Sequence, residues 1–124
     1  MNPLFNYLTI IGIVFSSSLA TNVMAANIFT VKQQDHKFSE MYLKIENNDV
    51  LKFVNLDSVN HRLVFSHKGE QEHMGAIEPG NSQEVTFSRS GIYDIQCKHH
   101  PEMKLTVFIP HVVKLSKSAA LYEF

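Results

Sequence analysis

Thiols are nearly absent from this sequence: Cys97 is the single cysteine among 124 residues, so no internal disulfide can form. A basic excess is absent as well. The 11 Lys and Arg residues stand against 12 Asp and Glu, for a formal net charge of −1, whereas a nucleic-acid binder would carry clustered positive charge. Long apolar runs are missing too. The run at residues 8–15 falls far short of the about 20 residues that a spanning helix needs. No internal repeat and no low-complexity segment is present, and no stretch beyond the first residues and the tail carries a helical period. The length allows one domain and no more.

The short apolar run is followed by Ser16, Ser17 and Ser18 and then by Val23, Met24 and Ala25. That order is the pattern of an export signal with a small-residue cleavage site. No Lys or Arg precedes the run, so only the α-amino group supplies positive charge, and an uncleaved membrane anchor is the rival reading. The expected organisation is a signal peptide at 1–25, one domain at 26–110 and a C-terminal extension at 111–124. Val112, Val113, Leu115, Leu121, Tyr122 and Phe124 make that extension apolar enough to pack on the domain. The expected location is the periplasm or another exported compartment. Oxidising compartments favour paired cysteines, so the lone Cys97 is a free thiol, an intermolecular bridge or a metal ligand.

Between signal and tail, short alternating segments recur with turn signals between them. Strands are expected at 28–31, at 41–46, at 50–55 with Leu51 and Phe53 on one face, and at 61–66 with His61, Leu63 and Phe65 on one face. Residues 66–72 read as a polar loop. Glu78–Pro79–Gly80–Asn81 and Ser90–Gly91 read as turns, flanking a strand around Val85 and Phe87. Further strands are expected at 92–97 and around Leu105, Val107 and Ile109. Such spacing predicts an all-β chain folded as an antiparallel sandwich or barrel.

The chemistry concentrates in Cys97–Lys98–His99–His100–Pro101–Glu102–Met103. One tight loop between two strands there offers a thiolate, an imidazole and a thioether. Pro101 stiffens it by fixing its own φ and biasing His100 toward extended geometry. Thiolate and thioether are soft donors that favour Cu(I), and imidazole accepts both oxidation states. Two histidines and a cysteine with a weak axial methionine form the blue-copper donor set. The missing donor has to come from a neighbouring strand, and His61 suits it, where a loop re-enters a strand.

These features resemble the cupredoxin family of type 1 blue copper proteins, and within it the amicyanin, pseudoazurin and plastocyanin type. The resemblance rests on the Val54–His61 loop, on the Gly91–Ile92–Tyr93 lead into Cys97, and on the Cys97, His100, Met103 spacing; it covers about residues 27–109. It implies a Greek-key β-sandwich of eight or so strands, with His61, Cys97 and His100 as equatorial ligands and Met103 as the axial one. It further implies one copper ion alternating between Cu(I) and Cu(II). The function expected is one-electron transfer between a donor and an acceptor redox protein, by a monomer that is not an enzyme. Storage or delivery of copper through the same site is the alternative.

Three positions depart from the family pattern. Arg62 stands where relatives place asparagine, Lys98 where they place serine or threonine, and His99 where they often place proline. The first two normally form a hydrogen-bonded brace between the ligand loops, so that brace is expected to be missing. His99 is expected to face solvent, and Arg62 and Lys98 to be solvated charges. The remaining histidines, His36, His67, His73 and His111, show no ligand spacing.

Overall fold

A computed structural model describes residues 25–112. The expected signal at 1–25 and the C-terminal extension at 111–124 lie almost wholly outside the described residues. Among the described residues nine strands appear: β1 (Ile28–Gln34), β2 (Lys37–Phe38), β3 (Tyr42–Lys44), β4 (Val50–Asn55), β5 (His61–His67), β6 (Glu70–Ile77), β7 (Ser82–Thr86), β8 (Gly91–Cys97) and β9 (Lys104–Ile109). Among the described residues no helix is long and apolar enough to cross a membrane.

The period-two alternation decides which side chains enter the core. In β5, His61, Leu63, Phe65 and His67 point inward while Arg62 faces solvent. In β8, Tyr93, Ile95 and Cys97 do the same, and in β9 Leu105, Val107 and Ile109 follow. The rule that buries Leu63 therefore also buries His61, and the rule that buries Ile95 buries Cys97. Phe53, fully buried, lies 6.0 Å from the ring of Phe38 and 6.1 Å from that of Phe65. Each such side chain contributes about 1.5–3 kcal/mol by leaving water.

One sheet has the order β2-β1-β4-β7 and the other β3-β9-β8-β5-β6. The pairing is not antiparallel throughout, as the strand spacing alone suggests: β1 runs parallel to β4, and β3 parallel to β9. Parallel neighbours need a crossover. Between β1 and β4 the chain visits the other sheet as β3 and returns in its original direction. Part of the segment read as a polar loop at 66–72 is also strand. His67 pairs with Glu70 and Phe65 with Glu72, opening the edge strand β6. Both faces of its first residues are exposed, so no alternation betrays it.

Gly91 explains the glycine before Tyr93. Its φ is 133°, and a Cβ there would stand 2.6 Å from Nε2 of His67. The His67 ring in turn stacks on Tyr93 at 4.2 Å between centroids, and the Tyr93 hydroxyl donates to the Arg89 carbonyl at 2.9 Å. These contacts hold β8 at the end remote from Cys97.

Candidate metal centre

Two loops meet at one end of the sandwich. The first, between β4 and β5, is shaped by the fully buried Asn55. Its Nδ2 donates to the carbonyls of Val59 (2.7 Å) and Ile77 (2.8 Å), and its Oδ1 accepts from the Asp57 N–H at 2.9 Å. The second joins β8 to β9. The Met103 N–H donates to the His100 carbonyl at 2.9 Å, and the Cys97 N–H to the Met103 carbonyl at 3.2 Å. This closes the Cys97–Met103 loop on itself. The two loops are tied by the Lys98 N–H, which donates to the Arg62 carbonyl at 2.8 Å. The brace between positions 62 and 98 is thus present in the backbone, while both side chains face solvent.

His61 and Cys97 are fully buried, and Met103 is 1% exposed. His100 is half-buried. Cys97 Sγ lies 3.5 Å from His61 Nδ1 and 3.6 Å from His100 Nδ1, and the three donor atoms fall within 4.8 Å of one another. Nitrogen and sulfur ligands bonded at ~2.0 and ~2.3 Å to one metal, and spread around it, stand ~3.6 Å apart. The observed separations fit.

Hydrogen bonding supports the same conclusion. Asp57 Oδ2 lies 2.8 Å from His61 Nε2. An ionised carboxylate only accepts, so His61 Nε2 carries a proton, and Nδ1 is the ring nitrogen turned toward the sulfur. Two ring nitrogens and a sulfur facing one another at this spacing form a donor group that could hold a metal ion. Burial presses the Asp57 carboxyl upward, but the bond from His61 and those from the N–H groups of His36 and Asp35 outweigh it. The group is held below the usual carboxylate range.

The sequence matches the family model of the cupredoxin-like domain over residues 7–109. The chain belongs to the cupredoxin family. Solved cupredoxins are similar in structure. A methionine-to-alanine variant of amicyanin in the Cu(I) form has a TM-score of 0.62 at 19% identity, covering 70% of this chain and 86% of that one. An oxidised proline-to-alanine variant of amicyanin gives 0.63 at 20%, with the same coverage of 70% and 86%. A copper-containing nitrite reductase from Thermus scotoductus SA-01 gives 0.63 at 22%, over 73% of this chain but 24% of the enzyme. At these identities the likeness establishes the fold. No curated protein sequence matches the chain. In this cupredoxin, His61, Cys97 and His100 come together as a type 1 copper site would require, with the buried Met103 at the end of the same loop.

His99 is exposed, as its place in the loop suggests. His36, which has no ligand spacing in the sequence, nevertheless lies beside the cupredoxin site: its ring centroid is 4.2 Å from that of His100 and 6.0 Å from that of His61. Asn55, Asp57 and His36 are the residues around the site that the sequence does not disclose. Only an Asp four residues before a histidine hints at one of them, and that spacing is common.

Proposed function

We propose that His61, Cys97, His100 and Met103 of this cupredoxin would hold one copper ion, and that the protein carries single electrons between two redox proteins. The observation behind this is the convergence of one cysteine sulfur and two imidazoles, from strands β5 and β8 and the loop after β8, within 4.8 Å of one another. Copper, when bound, supplies the Cu(I)/Cu(II) couple.

His61 and Cys97 sit on strands, and His100 and Met103 on a short closed loop, so the donors have little freedom to rearrange when the charge changes. The half-buried His100 is the donor nearest solvent, and its ring edge is the route by which electrons enter and leave. Solved amicyanin variants include reduced and oxidised forms, in keeping with this role. The match spans only 24% of the nitrite reductase chain. The export pattern at 1–25 supports a periplasmic location after cleavage. The mass of the purified mature chain tests the cleavage.

Cu(II) added to the mature protein should produce an intense thiolate-to-copper band in the visible, paired with reversible voltammetry. Identical spectra for wild type and Cys97→Ser would end the copper reading. Slow electron exchange with rapid Cu(I) hand-off to a chelating acceptor would make the protein a copper delivery protein instead.

A further inference from the structure

We infer that Asp57 is the positioning residue for both histidines of the metal centre, holding His61 directly and His100 by way of His36. This rests on the copper reading above and extends it to how the site is oriented and tuned.

One carboxylate is reached from two directions. His61 Nε2 donates to Oδ2 at 2.8 Å. The backbone N–H groups of Asp35 and His36 donate to Oδ1 and Oδ2 at 2.6 and 3.2 Å. Those two residues form the tight turn between β1 and β2, and each has a φ of 54°. That left-handed conformation is unfavourable for residues bearing a Cβ. Two successive N–H groups in a turn make a concave donor pair suited to an anion, and Asp57 occupies it. The turn carries His36, whose ring packs on His100 with centroids 4.2 Å apart and planes tilted by 36°. His36 is exposed and His100 half-buried, so His36 restrains the one imidazole of the pair that the core does not enclose.

The consequences are geometric and electrostatic. The bond to Asp57 keeps the His61 proton on Nε2 and leaves Nδ1 to face Cys97. The carboxylate also makes His61 a more basic donor, as acidic partners of metal-bound histidines do. Negative charge behind the ligand favours the more highly charged Cu(II) over Cu(I). The family's braced pair is replaced at 62 and 98, and Asp57 restrains the site from the opposite side.

The test begins with the metal-free mature chain, labelled with 15N. Wild type should show one His61 tautomer, with the proton on Nε2, and ring-to-ring proton contacts between His36 and His100. Asp57→Ala should lose both. Asp57→Asn keeps an acceptor oxygen and should keep the tautomer. Once loaded with copper, it should show a Cu(II)-to-Cu(I) affinity ratio about tenfold lower, a rise in potential of about 59 mV. An unchanged tautomer and unchanged ring contacts in Asp57→Ala would overturn the inference, as would an unchanged potential in Asp57→Asn. A wild type that shows the tautomer and the ring contacts yet takes up no copper would end the copper reading and still support the positioning role.

Discussion

Cys97 Sγ and His61 Nδ1 stand 3.5 Å apart across 36 residues of chain. They begin on neighbouring strands of one sheet, β5 and β8, where Leu63 pairs with Cys97. The pairing register brings the start of one strand to the end of the other. Both residues occupy inward positions, so strand alternation and strand pairing together make the contact.

Replacing the thiolate is the most direct probe. Cys97→Ser should abolish the visible copper band and weaken Cu(I) binding, since a hydroxyl is a hard, poor donor. The buried hydroxyl should cost about 1–3 kcal/mol in the metal-free protein. Absorption spectra and urea unfolding of both proteins check this.

Met103→Leu should retain copper, because three stronger donors remain. The swap conserves volume in a buried position and should cost under about 1.5 kcal/mol of stability. Loss of a donor and a more apolar surround disfavour the doubly charged ion, so the potential should rise, by about 59 mV for each tenfold bias. Voltammetry measures it. Complete loss of copper in this variant would show that the axial assignment is wrong.

Asn55 is fully buried and satisfies three backbone groups. Asn55→Ala leaves those groups without their partner and should destabilise the fold by on the order of 3 kcal/mol. Copper uptake should weaken as the loop carrying Asp57 loosens. Ser58→Ala, at an exposed position of the same loop, should change stability by less than about 0.5 kcal/mol. Equal effects of the two variants in denaturant titrations would contradict this account.

Acid should reveal Asp49. The N–H groups of Asn27 and Glu46 donate to it at 2.9 and 2.8 Å and hold its carboxyl below the ordinary value of 3.8. A lowered value in the folded state means its stabilisation is complete above about pH 4 and fades as pH falls through the folded value. Asp49→Asn should therefore be less stable than wild type at pH 7, by about 1–2 kcal/mol. The two should converge as pH drops below 4. Thermal melts across pH 2–7 follow the difference.

Strands with one buried face were legible in the sequence. β4, β5, β8 and β9 appear where the alternation of Leu51 and Phe53, Leu63 and Phe65, Tyr93 and Ile95, and Leu105 and Val107 places them. The two-residue β2 and the exposed edge β6 were not, because neither presents a repeating buried face. Met41 belongs to the expected apolar face of 41–46 yet is 68% exposed. It precedes the three-residue β3 rather than packing within it.

The sequence by itself determined the donor types, their spacing in the Cys97–Met103 loop, and the inward positions of His61 and Cys97. Those features depend on local geometry: loop length, proline stiffness and a side-chain period of two. Tertiary structure alone decided that β1 lies parallel to β4, that Asp57 reaches back to the turn at Asp35 and His36, and that His36 rests on His100. Those contacts join segments about 20 to 60 residues apart, and no local propensity encodes them. They arise because two sheets must close over one core, and closing it brings three loops to the same end.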